Sequence, residues 1–164
     1  MDQAKLNKIL DNHKLWLKTN GEQGERADLR SADLRSADLS SADLRSADLR
    51  YADLSSANLR SADLRSADLR SADLRYADLS SADLRYANLD YSAFPLWCGG
   101  LDVHIDDKQA TQLLYHLIRN VQYSKNTSKA LKKICRIKSL VKQANKFHRV
   151  GECGEISRGA EDGK

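Results

Sequence analysis

No run of about 18 apolar residues occurs in the 164 residues, which leaves no candidate for a membrane-spanning helix. The start, Met1-Asp2-Gln3-Ala4-Lys5, is not a charged lead into an apolar core, so no secretory signal is read there and the expectation is a cytoplasmic protein. Cysteine is scarce: Cys98, Cys135 and Cys153 are odd in number and lack zinc-ligand spacing, which argues against a disulfide framework and against a metal site. Glycine is missing between Gly24 and Gly99, and proline occurs once, at Pro95. His13 is a lone histidine on an apolar helix face and is read as packing. His148 near Cys153 has no third orienting group. No catalytic, cofactor-binding or metal-binding residue is assigned, and an enzyme is not expected.

What the chain has in abundance is one pattern. From Ala27 the triplet Ala-Asp/Asn-Leu returns at every fifth residue through Ala87-Asn88-Leu89, and Ser92-Ala93-Phe94 closes the series as a fourteenth, degenerate unit. In a helix of about 3.6 residues per turn, leucines five apart wind all round the cylinder and make no apolar face. In a continuous strand, Ala and Leu of one unit share a side but the next Ala falls on the other. The chain must therefore turn once per unit. Placing a corner at the Arg/Ser-Ser/Tyr pair after each Leu lets every short extended side point Ala and Leu inward, and the path climbs as a solenoid whose coils stack about 4.8 Å apart. Periodicity alone does not set the number of sides.

The motif, as in Ala47-Asp48-Leu49-Arg50-Tyr51, resembles the pentapeptide-repeat family. The resemblance implies a mainly β fold, a right-handed quadrilateral β-helix with four units per coil, hence about three and a half coils and a barrel on the order of 17 Å. It also implies an interior built from Leu29, Leu34, Leu39, Leu44, Leu49, Leu54, Leu59, Leu64, Leu69, Leu74, Leu79, Leu84, Leu89 and Phe94. The family often carries Gly at the last position of each unit, where a type II corner wants positive φ. Ser or Tyr stands there in this chain, so less regular corners are expected.

Four segments are expected: 1–26, an N-terminal capping helix and linker; 27–96, the β-helix; 97–154, a C-terminal strand and helical cap; and 155–164, a disordered tail. In the first, Leu6, Ile9, Leu10, His13, Trp16 and Leu17 fall at helical spacing before Asn20-Gly21, a natural stop. The stretch from Ile9 to Leu17 resembles the leader before the repeats in some bacterial members of the family. In the third, Leu101, Val103 and Ile105 alternate as a short strand. Asp106 or Asp107 then caps a helix with Ala110, Leu113, Leu114, Leu117, Ile118 and Val121 facing inward. A second helix from Asn126-Thr127-Ser128 presents Leu131, Ile134, Cys135, Val141, Ala144 and Phe147, completing a helical hairpin. The run from Asn145 to Cys153 resembles the ending of some bacterial and phage members.

Charge is unevenly placed. The repeats hold twelve Asp against nine Arg, while 97–164 hold thirteen Lys and Arg against seven Asp and Glu. Residues twenty apart stack in a four-unit coil, so Arg45, Arg65 and Arg85 should form one column beside Asp43, Asp63 and Asp83, a surface ion network read as a solvated wall. The nine-residue string starting at Leu49 recurs at Leu74, an offset of 25 where a stripe on one face would repeat at 20. That narrow vocabulary fits an engineered consensus or a recent tandem duplication. Lys125, Lys129, Lys132, Lys133 and Arg136 make a basic side on the second helix, but no aromatic residue is interleaved for base stacking, so nucleic acid is disfavoured. The expected role is a structural, protein-interaction scaffold with no cofactor and no membrane contact; the sequence names no natural protein partner, and a second copy meeting through the C-terminal helical region is the expected assembly. The alternative that the resemblance implies is a mimic of duplex DNA that engages DNA gyrase.

Overall fold

The computed structural model describes residues 1–95, 103–123 and 127–146. They fall into two compact units, Met1–Asp106 and Asp107–Lys164.

In the first unit each pentapeptide supplies one side of a coil. Parallel bridges join Asp28 to Asp48, Asp33 to Asp53, Asp38 to Asn58 and Asp43 to Asp63, and the register of twenty holds as far as Asp73 with Ala93. Twenty residues are four units, so the β-helix has four faces. Each face repeats one bonding scheme: Leu29 N–H donates to Asp48 O (2.8 Å) and Asp48 N–H to Ala27 O (3.0 Å). Pointing Ala and Leu inward on every side builds a single apolar column. The thirteen leucines from Leu29 to Leu89 are buried, with Leu89 the most exposed at 8%. Ala47 to Ala87 are buried beside them, Ala32, Ala37 and Ala42 pack at the first coil, and Phe94 is half-buried against the same core.

The corners correct the expectation of irregular turns. All thirteen non-glycine corner positions, nine serines and four tyrosines, hold φ between 53° and 65°. Each corner closes an i to i+3 bond, such as Ala32 N–H to Leu29 O at 3.2 Å, with positive φ at i+2, the signature of a type II turn. An L-residue in this left-handed region costs about 1–2 kcal/mol. From Ser31 to Ser71 the next coil overrides that cost: the corner N–H donates along the stack, Ser31 to Arg50 O at 2.9 Å and Tyr51 to Arg70 O at 3.0 Å. A backbone held on both sides stays regular without glycine.

Helix α1, Gln3–Lys18, starts with the Asp2 carboxylate accepting the Ala4 N–H and ends as Asn20 turns to φ 52° and Gly21 N–H reaches back to Trp16 O (2.9 Å), a Schellman closure. Leu6, Ile9 and Leu10 join the leucine core, so α1 lies on the first coil. Gly24 is pressed against it at φ 74°; a Cβ there would come within 2.3 Å of Asn12 O.

After Pro95 one more segment returns to the β-helix. His104 pairs with Asp83, an offset of 21 that signals one inserted residue, and Val103 and Ile105 pack against the leucine core. The expected boundary at 97 therefore moves: 103–106 belong with the coils. Leu101, the first position of the expected strand, lies outside the described residues, as do Phe147, His148, Cys153 and 155–164.

The second unit departs from the expected two-helix hairpin. Helix α2, Asp107–Tyr123, buries Thr111, Tyr115, Ile118 and Val121, whereas Ala110 and Leu117 are exposed. Tyr115 turns the stripe by about one position because its large ring takes the centre of the contact. The second helix is two: α3, Lys129–Ile134, capped by Ser128 Oγ at Leu131 N–H (3.2 Å), and α4, Lys138–Ala144. The break falls where Gln122 Nε2–H donates to Cys135 O (2.9 Å) and Ile137 turns extended. Cys135, Val141 and Ala144 are buried as expected, but Leu131 and Ile134 face outward.

Candidate interaction surface

The outer wall is made by positions two, four and five of each unit, and the first of these has a local task. The Asp or Asn side chain before each Leu turns back to accept the backbone N–H two residues on: Asp28 Oδ1 from Arg30 (3.2 Å), Asp53 from Ser55 (3.0 Å), Asn58 from Arg60 (3.3 Å), Asn88 from Asp90 (3.1 Å). This Asx turn holds the first corner residue. Asp and Asn make this bond more strongly than Ser or Thr, and no other residue stands there from Asp28 to Asn88.

Position four completes the arrangement by donating to the same carboxylate. Arg65 Nε and Nη2 bond both oxygens of Asp63 at 2.8 and 2.5 Å, and where serine replaces arginine, Ser40 Oγ donates to Asp38 Oδ1 at 2.7 Å. Arginine also reaches along the stack, Arg45 Nε to Asp63 at 3.6 Å and Arg65 Nε to Asp83 at 3.6 Å, so the expected column Asp43, Arg45, Asp63, Arg65, Asp83, Arg85 exists as a chain of ion pairs. The hydrogen bond from Arg30, reinforced by its backbone N–H, lowers the Asp28 pKa to about 2. Asp48, Asp68, Asp73 and Asp83 are held below the usual carboxylate range chiefly by their own arginines, Asp38 and Asp78 by Ser40 and Ser80.

Charge is balanced face by face. Four Asp stand against three Arg on the face through Asp28, three against two through Asp33, two against one through Asp38, and three against three through Asp43. Tyr51, Tyr76, Tyr86 and Tyr91 are the large side chains that project, each at a corner and more than half exposed. The stack places Tyr51 and Tyr91 on one edge and Tyr76 and Tyr86 on two others, so they form no single stripe.

At the α1 end, side chains take the places of missing backbone. Gln3 pairs its amide with Asp38, Nε2 donating to Asp38 O (3.2 Å) and Oε1 accepting Asp38 N–H (3.4 Å), and the terminal amine donates to Asp33 O. His13, fully buried, accepts the Ala27 N–H at Nδ1 (3.1 Å) and faces Arg45 O through Nε2 (3.1 Å), which assigns the proton to Nε2. Burial lowers its pKa. At the other end the Asp106 carboxylate accepts the Tyr86 N–H (2.7 Å), the bond that a further coil's carbonyl would take.

In the second unit Lys129, Lys132 and Lys133 share one face of α3, and Leu117, Leu131, Ile134 and Ile137 are exposed apolar side chains. Among the described residues no group of three His, Cys, Asp or Glu is placed to hold a metal ion, and no helix is long and apolar enough to cross a membrane.

The family model for pentapeptide repeats matches residues 27–65 and 62–94. Solved structures similar to this chain include a pentapeptide repeat protein from the thylakoid lumen of Arabidopsis thaliana (23% identity over 66% of this chain and 88% of that one, TM-score 0.44). Another is a pentapeptide repeat protein from Nostoc (33% identity, 58% and 93%, TM-score 0.28). A third is QnrB1, a plasmid-mediated fluoroquinolone resistance protein (21% identity, 57% and 62%, TM-score 0.22). None of the curated proteins matches. The chain belongs to the pentapeptide-repeat family.

Sequence reasoning placed the leucine column and the Asp/Arg columns but missed the work done by position two, by Gln3 and by His13. The Asx turn was legible in the restriction of position two to Asp and Asn. Gln3 and His13 gave only a weak signal, one polar residue each on or beside an otherwise apolar helix face.

Proposed function

We propose that the chain is a non-enzymatic structural scaffold for protein interaction: a four-sided β-helix of near-consensus repeats, closed at its first coil by α1 as a cap. The observation that carries this reading is that the wall spends its polar groups on itself. Each position-two side chain serves a backbone N–H of its own unit, and most carboxylates are also paired with a neighbouring Arg or Ser. What the wall presents outward is its shape and the four projecting tyrosines, residues suited to contact because they bring large area at low entropy cost. The narrow vocabulary supports a consensus design for the repeats. The second unit adds exposed Leu117, Leu131, Ile134 and Ile137 as apolar surface for a second copy.

The duplex mimic is the weaker reading. Duplex DNA carries about one charge per 1.7 Å of axis, and here no face has more than one Asp in excess of its Arg. A gyrase supercoiling assay at near-equimolar protein separates the two. The scaffold gives no inhibition; inhibition abolished by Asp43→Asn, Asp63→Asn and Asp83→Asn together establishes the mimic instead.

A further inference from the structure

The end of the β-helix under α1 is an open ladder, and the one imidazole that closes it is also a group that titrates near neutral pH. His13 is 0% exposed and both ring nitrogens are engaged. Nε2–H supplies the donor that Arg45 O would otherwise receive from a preceding corner, as Arg50 O does from Ser31. Nδ1 supplies the acceptor that Ala27 N–H would otherwise find in the turn carbonyl of a preceding unit, as Ala32 N–H finds Leu29 O. Trp16 stacks on the ring, centroids 5.7 Å apart and planes 14° from parallel, and shields it from water.

We propose that His13 is an acid-sensitive latch: proton uptake at Nδ1 removes the acceptor for Ala27 N–H, sets two donors face to face inside a dry contact, and releases α1 from the first coil. A second donor cannot be accommodated by rotation, because flipping the ring presents the protonated edge to Ala27 again. The charged groups that face the ring lie on the coil and on the linker just before it. Burial lowers the pKa most; the hydrogen bond to Arg45 O and the Asp43 carboxylate favour the imidazolium, the Arg26 and Arg45 guanidinium groups oppose it, and the net direction is downward, toward the neutral ring. A group whose pKa is depressed in the docked state stabilises docking above the ordinary value of about 6.5 and loses that contribution as the pH falls toward its docked value. The coil carboxylates reported above have their pKa values lowered, so they stay ionised in this window. Release frees the backbone of Asp38 from Gln3 and presents an unpaired sheet edge, a surface on which another strand can add.

The latch rests on α1 being a cap, and amide exchange on the full chain tests the two separately. At pH 7.5 the α1 amides and the Ala27 N–H should be protected; absence of protection there defeats the cap and the latch together. Between pH 6.5 and 5, after correction for intrinsic exchange, protection of α1 should fall by up to about tenfold per pH unit, while amides of the middle coils such as Leu64 hold theirs. His13→Gln, whose amide can still donate and accept, should dock with no pH dependence in this window. A flat profile in the native chain, or the same fall in His13→Gln, overturns the latch and leaves the cap standing. Should His13→Gln fail to dock, the native ring decides by nitrogen NMR: a neutral Nε2–H tautomer at pH 7.5 whose protonation coincides with loss of α1 protection supports the latch, and ring protonation with α1 still protected refutes it.

Discussion

Replacing Ser66 by glycine tests the account of the corners. Ser66 sits at φ 59° in the middle of the stack, its side chain is exposed, and its N–H donates to Arg85 O at 3.1 Å. Substitution there changes the backbone preference and little else. The left-handed conformation costs an L-residue about 1–2 kcal/mol, which glycine does not incur. Glycine in turn loses more freedom on folding, about 0.5–1 kcal/mol. The difference predicts that Ser66→Gly stabilises by about 0.5–1 kcal/mol. Ser66→Val should destabilise by about 1–2 kcal/mol, because a β-branched residue is an outlier at this φ. Urea unfolding followed by circular dichroism reads both as shifts in midpoint at constant slope. Distant corners, Ser36 and Ser66 for instance, should add to within about 0.5 kcal/mol. If glycine destabilises while valine is neutral, the corners carry no strain and the ladder is not what holds them.

Leu64→Ala should cost about 2–5 kcal/mol by the same measurement, since Leu64 is wholly buried with coils above and below to hold the cavity open; a loss under about 1 kcal/mol would mean the stack collapses onto the gap. Asp63→Asn should change stability by less than about 0.5 kcal/mol and Asp63→Ala by about 1 kcal/mol, because the side-chain oxygen that accepts Arg65 N–H at 3.2 Å survives only in the first; equal effects would make the ion pair, not the Asx turn, the stabilising contact. Gly24→Ala should selectively loosen α1, with Trp16 emission shifting toward that of exposed indole, because the new methyl meets Asn12 O and Trp16 N at 2.3 and 2.7 Å; unchanged emission in a Trp97→Phe background would count against that packing.

Much of the fold could be read from period alone, because a five-residue repeat with two inward residues leaves so few paths for the chain. Leu29 to Leu89 needed nothing further. The corners were misjudged because propensity is a local argument, and Ser31 to Ser71 are held at positive φ by bonds to residues nineteen places along the chain. In the second unit the misassignments share one cause. A helical pattern fixes which residues share a face, but the partner fixes which face is buried, and there Tyr115 and the Gln122 bond to Cys135 O decided. The inserted residue before His104 had no signature, since the break at Pro95 hides the return to register.

The wall and the ends of the β-helix obey one rule: a backbone hydrogen bond is completed by the next coil or by a side chain that takes its place. Within the stack every bond is repeated by the coil above and below, so a single side-chain change is averaged over neighbours with the same geometry. At the first coil there is no neighbour, and the missing peptide groups are imitated by side chains: an amide at Gln3, an imidazole at His13, and at the far end a carboxylate at Asp106. A backbone amide has no accessible titration, whereas the imidazole of His13 does. Binding of a strand to the edge that α1 covers would therefore be governed by the chemistry of His13, not by the repeats, and lengthening the β-helix by whole coils should leave that sensitivity unchanged.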